Sequence, residues 1–232
     1  MVKFAFGLAL ASVLSLASGG STRGSRMKTY KASCHGRVRV TNLTFKQDFS
    51  PPIIVAHEKG SNPLFSKGRK ARGAIKRMAE EGVNRFIEIL ATRESGFCGF
   101  ATAEGPLLPG KTWNGEITFD ANKCKQPVYS VVAKLTNTND AFMGVDGSKF
   151  LDKRPSKLFP PAFDAGTEKN NEKCTCMRGR ACPASPKPRE NLGGRGSEGF
   201  IHVHRGINGV GDLSKADYDW KNPVAEVVVS KV

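Results

Sequence analysis

Short runs of β-branched and aromatic residues, separated by Gly, Pro or Asn, constrain the fold of this chain more than any other feature. "RVRVTNLTF" alternates polar and apolar residues as a half-buried strand does, and "PPIIVAHE" begins with prolines, which suit a strand start. Further runs of this kind are "FCGFATA", "TWNGEITF", "VYSVVAKL", "GFIHVHRGI" and "VAEVVVSKV". Seven or more short strands with turn residues between them predict an antiparallel β-sandwich.

One segment, "KGRKARGAIKRMAEEGVNRFIEILA", has the periodicity of a helix instead. Ile75, Met78 and Ala79 share one helical face, and Gly82 interrupts the pattern before apolar residues resume it. At 232 residues the chain suits one large domain or two small ones, with a sizeable core. The predicted fold class is therefore all-β with a minor helical insertion.

The N-terminal stretch "MVKFAFGLALASVLSLASGG" has one lysine, then an apolar run, then small residues, which is typical of a secretory signal peptide. We place the signal peptide at residues 1–19, a flexible segment at 20–29 and the folded domain at 30–232. An uncleaved membrane anchor is the alternative, although the apolar run is short for a bilayer. The sequence thus predicts a secreted, extracellular protein whose contact with membranes is at most peripheral.

Six cysteines form an even set, and export would place them in an oxidising compartment, so disulfides are expected. The one pairing that the spacing favours is a short loop closed by Cys182 with either Cys174 or Cys176. The "CTC" stretch followed by a single further cysteine lacks the spacers of a zinc site.

Several acids stand at the ends of predicted strands, although the chain has 36 Lys and Arg against 21 Asp and Glu. Asp120 ends "EITFD", Asp140 follows "VVAKL", and Asp164 follows "LFPPAF". Because the loops at one end of a sandwich cluster, these three carboxylates are a candidate ligand set for calcium, which prefers hard oxygen ligands on flexible loops. The alternative is that they are ordinary turn residues.

The histidines offer a second metal hypothesis. His202 and His204 of "HVH" would share one face of a strand, and His57 of "VAHE" is a possible third zinc ligand, as in a zinc-dependent hydrolase. Packed or surface histidines are the more ordinary interpretation. No GxSxG is present and the cysteines are assigned to disulfides, so we predict that the protein is not an enzyme.

A basic run forms the first part of the predicted helical segment. In an exported protein it suggests a surface for sulfated glycans or anionic membranes, with a solvated helix face as the alternative. Interleaved aromatics, which mark nucleic-acid platforms, are missing from it, so no nucleic-acid partner is predicted. "NLT" at Asn42 is a glycosylation sequon within or beside a strand. The basic residues are Lys67, Arg69, Lys70, Arg72, Lys76 and Arg77.

Four longer stretches stand out as specific: "VTNLTFKQDFSPPIIVAHE", "TNTNDAF", "PAFDAGTE" and above all "SEGFIHVHRGINGVGDLSKADYDWKNPVAEVVV". In these stretches the chain resembles the spondin domain family, which includes the N-terminal domains of F-spondin and mindin, and the resemblance runs from about Tyr30 to Val232. It implies a β-sandwich similar to calcium-dependent membrane-binding modules, found in secreted matrix or cell-surface proteins that act in adhesion.

The resemblance also implies a divalent-metal site made by carboxylates on loops. Its ligands correspond to Asp140 in "TNTNDAF" and Asp164 in "FDAGTE", both intact here, and to Asp120 if one residue is inserted. Asp146 would have a structural role in a turn.

Together these observations predict a secreted, non-enzymatic, disulfide-stabilised single-domain protein that binds calcium and an extracellular matrix or cell-surface protein or glycan. The first alternative is a binder of sulfated glycans or anionic surfaces through the basic helix, with a metal that is only structural. The zinc-dependent hydrolase is the second.

Overall fold

A computed structural model describes residues 33–151, 154–177, 179–182 and 196–232 of the chain. The predicted signal peptide and the flexible segment after it lie outside these ranges. No helix within them combines the length and the apolar character needed to cross a membrane.

Two sheets of antiparallel strands form the domain, which confirms the predicted antiparallel sandwich. In spatial order, the four-stranded sheet contains β4 (Thr112–Asp120), β1 (Ser33–Asn42), β10 (Ala225–Lys231) and β7 (Ser156–Leu158). The six-stranded sheet contains β3 (Phe97–Thr102), β2 (Ile53–Glu58), β5 (Pro127–Lys134), β6 (Ala141–Lys149), β8 (Ala162–Asp164) and β9 (His202–Val203).

The four-stranded sheet has one buried face, and its strands alternate accordingly. In β1, Val38 and Val40 are buried while Arg37 and Arg39 are exposed. Their partners across the sandwich include Tyr129 of β5 in a single continuous core. This alternation is the one that "RVRV" predicts for a half-buried strand.

The six-stranded sheet is covered on both faces, because two helices pack on the side away from the sandwich core. These are α1 (Gly73–Glu81) and α2 (Arg85–Arg93). Ile53 and Val132 of the sheet join Ile75, Met78 and Ile87 of the helices in a second core. Burial on both faces explains why β5 is a nearly continuous apolar run rather than an alternating one.

The helical insertion is two helices rather than one, and it begins later than the sequence predicts. Gly82 takes a left-handed φ of 72° and its N–H donates to Met78 O, which ends α1 where the apolar pattern is interrupted. Residues 67–72 precede α1 as a loop.

Strand β6 is an element that the sequence analysis missed. Asp146 is expected in a turn from the sequence, but "AFMGVDG" belongs to β6 and its first five residues are buried. Asp146 therefore lies in a strand. Its Oδ1 accepts hydrogen bonds from Leu64 N at 3.1 Å and from Ser130 Oγ at 2.6 Å.

Two disulfides form within the described residues. Cys174 pairs with Cys182, which confirms the predicted short loop and selects between its two alternatives. Cys98 of β3 pairs with Cys124, a pairing that the spacing did not indicate. The expectation that all six cysteines form disulfides is met for four of them within the described residues, where Cys34 and Cys176 form none; the two bonds agree with an oxidising compartment.

The Asn42 side chain is fully buried, and its Nδ2 donates to Gln47 O at 2.8 Å and Leu107 O at 3.0 Å. Thr44 Oγ1 donates to Asn42 Oδ1 at 2.7 Å, so both functional residues of the sequon are engaged in the fold. A glycan on Nδ2 would break these bonds and require an opening in the core.

We therefore expect the protein to be unmodified at Asn42 after secretion from eukaryotic cells. Peptide mass mapping with and without an endoglycosidase checks this expectation. A glycan found on the Asn42 peptide of folded protein would contradict it.

Candidate metal site

Three neighbouring strands of the six-stranded sheet bring the candidate site together at one end of the sandwich. Ala141, at the start of β6, pairs with Asp164, and Asp164 pairs with His202 in β9. Asp140 directly precedes β6. Residues that pair directly across antiparallel strands project from the same face, so Asp164 and His202 are neighbours by register.

Asp140 is fully buried, and within the described ranges only one of its carboxylate oxygens accepts hydrogen bonds. Oδ2 accepts hydrogen bonds from Thr167 N at 2.6 Å, Thr167 Oγ1 at 3.0 Å and Glu168 N at 2.9 Å. Oδ1 has no hydrogen-bond partner among the described residues. Burial raises the pKa of this carboxyl. A buried acceptor without a partner is costly, so Oδ1 is suited to a cation.

Asp164 is the second buried carboxylate. Its Oδ1 accepts from Gly166 N at 2.7 Å, and its Oδ2 accepts from Asn170 Nδ2 at 2.5 Å. Burial, and then the charge of Asp140, raise the pKa of Asp164 to about 7. Two carboxylates this close disfavour each other's ionised form, and a divalent cation between them would remove that penalty.

Glu198 joins the site from the loop before β9. One ligand atom each from Asp164, Glu198 and His202 lie within 4.8 Å of one another. The loop is fixed by Gly199 N, which donates to Gly166 O at 3.0 Å. Gly166 has a φ of 64°, and a Cβ there would lie 2.3 Å from the Phe200 carbonyl oxygen, so only glycine allows this close approach.

Lys134 is a buried cation next to the two carboxylates. Its side chain is almost fully buried, and Nζ donates to Ala79 O at 2.5 Å, Thr138 O at 3.0 Å and Asn139 O at 2.8 Å. Its positive charge lowers the pKa of Asp140, although burial outweighs this effect. The single ammonium thus offsets part of the charge of the carboxylate pair.

A cleft of about 340 Å³ opens beside the site and is lined by Asp164, Glu198 and His202. Glu172 also lines it, but both of its carboxylate oxygens accept backbone N–H groups, from Asn208, Gly209 and Val210 at 2.6–2.9 Å. The carboxylate of Glu172 is therefore held by backbone N–H groups of the loop that it contacts rather than left open to a ligand of the cleft.

The structure does not bring Asp120 to this site, and the predicted set of three carboxylates is corrected. Asp120 ends β4 and pairs with Ser33 at the start of β1. Cys124, four residues further on, leads into the start of β5, whereas Asp140 follows the end of that strand. An eight-residue strand spans roughly 25 Å, which is too far for a shared ion.

The predicted zinc triad is also corrected, because His57 lies away from the other two histidines. His57 pairs with Val128 near the start of β5, is buried, and its Nε2 lies 2.8 Å from Ser130 Oγ. His204 stacks on Trp220 and its Nδ1 accepts from Gly206 N at 3.1 Å. Burial lowers the pKa of His204 to about 4.

His57, Ser130 and Asp146 form a buried polar chain that has the residue types of a hydrolytic triad in another order. Ser130 Oγ donates to Asp146 Oδ1 at 2.6 Å and also contacts His57. In a catalytic triad the histidine lies between the serine and the acid and takes the proton of the serine. Here the serine lies between the other two, so these hydrogen bonds connect β2, β5 and β6 as a structural network.

The six basic residues divide into two groups. Arg72 pairs with Glu94, and Lys76 and Arg77 pair with acids one turn later in α1. Among the described residues, no ion pair involves the three others, and they are exposed in the loop before α1. This unpaired group is Lys67, Arg69 and Lys70.

The unpaired basic loop lies against the segment that carries the site. Gly68 N donates to Ile201 O at 2.7 Å, and Ile201 N donates to Arg69 O at 2.9 Å. Ile201 immediately precedes His202, so the basic loop and the carboxylate site occupy adjoining surfaces.

Comparison with known proteins adds no family to this description. No protein-family model matches the chain, and no curated protein matches it significantly.

Proposed function

We propose that the protein is a secreted, non-enzymatic spondin-type module that binds calcium at Asp140 and Asp164 and uses the ordered loops to recognise a matrix or cell-surface partner. The buried Asp140 Oδ1, which has no hydrogen-bond partner in the described part of the chain, lies beside a second buried carboxylate, and this is the observation that carries the calcium site. The sandwich, the disulfides and the resemblance of "TNTNDAF" and "PAFDAGTE" to spondin motifs support the rest.

The donors fit a hard cation. Calcium takes six to eight oxygen ligands from carboxylates, carbonyls and water, in flexible geometry. Asp140 supplies its unengaged Oδ1, and Asp164 supplies oxygens that now accept only neutral N–H groups. Asn170, whose amide contacts Asp164, offers a carbonyl oxygen next to them.

Calcium would act on the partner surface by joining separate segments of the chain. Asp140 ends the loop between β5 and β6, Asp164 ends β8, and the hydrogen bonds of Asp140 hold the loop at Thr167. An ion shared by the two carboxylates would fix these loops together, and ordered loops lose less entropy when a partner binds.

Calorimetric titration of calcium into wild type and Asp140→Asn tests the proposal. Wild type should bind calcium. The variant should lose calcium binding because the amide of asparagine has no negative charge and one oxygen fewer than the carboxylate of Asp140. Asp120→Asn is the matched control, since it removes a carboxylate at the opposite end and should leave calcium binding unchanged. Equal calcium affinity in wild type and Asp140→Asn would refute the proposed site.

A second function, binding of sulfated glycans, is favoured by the unpaired basic loop. Its three side chains are exposed and free of ion pairs with described residues, whereas the remaining bases of the run are neutralised by acids. We expect a variant with this loop reversed in charge to elute from a heparin column at clearly lower salt than wild type. The substitutions are Lys67→Glu, Arg69→Glu and Lys70→Glu.

The control must change net charge equally at other exposed lysines, because any loss of positive charge weakens retention. Lys111→Glu, Lys123→Glu and Lys125→Glu provide it, since all three are exposed and none lines the pocket that Lys67 shares with Ser148 of β6. If both triple variants elute at the same salt concentration, the basic loop is not a glycan site.

A further inference from the structure

Asp164, Glu198 and His202 form a mixed cluster whose chemistry differs from that of the proposed calcium site. Their ligand atoms lie within 4.8 Å of one another, and the cluster has an imidazole nitrogen in addition to two carboxylates. Calcium takes oxygen ligands, whereas zinc is bound by histidine nitrogen and carboxylate oxygen together. The imidazole therefore favours a metal of the zinc type.

The three side chains differ in exposure in a way that suits an accessible metal site. Asp164 is buried, His202 is half-buried and Glu198 is exposed on the loop before β9. Zinc–ligand bonds are about 2.0–2.2 Å long, so donor atoms this far apart need only small side-chain rotations to meet one ion. The exposed Glu198 side chain is free to make the largest of these rotations.

His202 is oriented as histidines at metal sites usually are. Its Nδ1 lies 3.3 Å from Phe200 O and 3.9 Å from Asp164 Oδ1. At metal sites the ring nitrogen that does not bind the ion usually donates to a backbone carbonyl or another outer partner, so the Phe200 carbonyl would hold Nδ1–H and leave Nε2 for the ion. The alternative to a metal site is an ion pair between His202, as imidazolium, and Asp164. That ion pair would not explain why the carboxylate of Glu198 also lies close to both side chains.

The surroundings of the cluster contain a further carboxylate and two cations. Asp140 lies next to Asp164 with an oxygen that has no hydrogen-bond partner among the described residues. Lys134 lies beside Asp140, and Arg205 lines the cleft, so these two side chains offset part of the negative charge. The preference for a metal at this cluster therefore follows from its donor set and its spacing.

We propose that Asp164, Glu198 and His202 bind a zinc-type divalent cation, with a fourth coordination position open to the cleft. Three protein ligands and one open position are the arrangement of zinc sites that accept an external ligand. The open position would take water or an oxygen donor of a partner. This site shares Asp164 with the proposed calcium site, but it does not depend on calcium binding there.

The experiment is a calorimetric titration of zinc chloride into the untagged mature protein. Cys34→Ser is the background in every sample, because Cys34 is a partly exposed thiol without a disulfide. The protein in this background should bind a single zinc ion. His202→Ala and Glu198→Gln should each weaken zinc binding by more than about 100-fold, which exceeds the usual effect of losing an outer-shell partner.

Two matched controls separate this inference from general metal binding. His35→Ala removes an exposed histidine of β1, and Glu104→Gln removes an exposed glutamate; both should bind zinc as the background protein does. The inference is overturned if the background protein binds no zinc stoichiometrically, or if His202→Ala binds it with unchanged affinity.

Asp140→Asn distinguishes failure of this site from failure of the proposed function. It should lose calcium and keep zinc, while His202→Ala should keep calcium and lose zinc. Calcium binding that persists in Asp140→Asn refutes the proposed function without affecting the zinc site. Absence of zinc binding refutes the zinc site without affecting the proposed function.

Discussion

In the absence of metal, the Asp164→Asn variant should unfold at a higher temperature than wild type, and saturating calcium should reverse that order. Burial and Asp140 raise the pKa of Asp164 to about 7, so at about pH 8 this buried carboxyl of metal-free wild type is largely ionised, which costs stability. The amide introduced at this position removes that charge. Its oxygen can still accept from Gly166 N, and its NH2 group faces Asn170, whose side-chain amide must turn over to present its oxygen as the acceptor.

Calcium should stabilise wild type alone, because the ion binds the folded state and needs both carboxylates. At a free concentration one hundred times the dissociation constant, the free energy of unfolding rises by about 2.7 kcal/mol. For a domain of this size the melting temperature then rises by about 5–10 °C. Scanning calorimetry in calcium and in EDTA measures both effects for each protein.

A reversal of the melting-temperature order between EDTA and calcium distinguishes a metal site from acids that only form turns. Asp120→Asn should follow wild type in both buffers, since Asp120 lies at the other end of β5. A melting temperature of wild type that is the same in calcium and in EDTA would mean that the two buried acids do not hold this ion.

The strands could be predicted where burial leaves a simple pattern. In β1 the alternation of arginine and valine follows from one buried face, and β5 and β10 are rich in β-branched residues. β6 was missed because "AFMGVDG" contains glycine and aspartate, which favour turns, and because both of its faces are buried at its start. Tertiary pairing with β5 and β8 forms this strand against its local preferences.

The candidate site could be predicted only for acids next to recognisable motifs. Asp140 and Asp164 stand at strand ends that lie at the same end of the sandwich. Asp120 stands at a strand end on the opposite side, and sequence alone does not give the direction of each strand in the sheet. Glu198 lies near its partners only because Gly166 and Gly199 bring two loops together. A single exposed glutamate in a loop gives no sequence signal for such an approach.

Lys134 was missed because it ends an apolar run, where lysine ordinarily extends its amine to solvent. Replacing it by methionine should lower the free energy of unfolding by about 3–5 kcal/mol in metal-free protein, the usual cost of removing one partner from a buried ionic cluster. Three backbone carbonyls would lose their donor, and Asp140 would lose its neighbouring positive charge. Urea denaturation in EDTA measures this loss.

The same substitution should strengthen calcium binding, because the ammonium repels a cation at Asp140. Lys134→Gln separates the hydrogen bonds of the side chain from its charge, because the amide can donate to some of the three carbonyls but is neutral. This variant should therefore be more stable than Lys134→Met. It should also bind calcium more tightly than wild type. Lys149→Met, at an exposed position of β6, is the control and should change stability by less than about 0.5 kcal/mol. Unchanged calcium affinity in both Lys134 variants would show that the ammonium and the ion do not share Asp140, and the calcium site would then have to lie elsewhere.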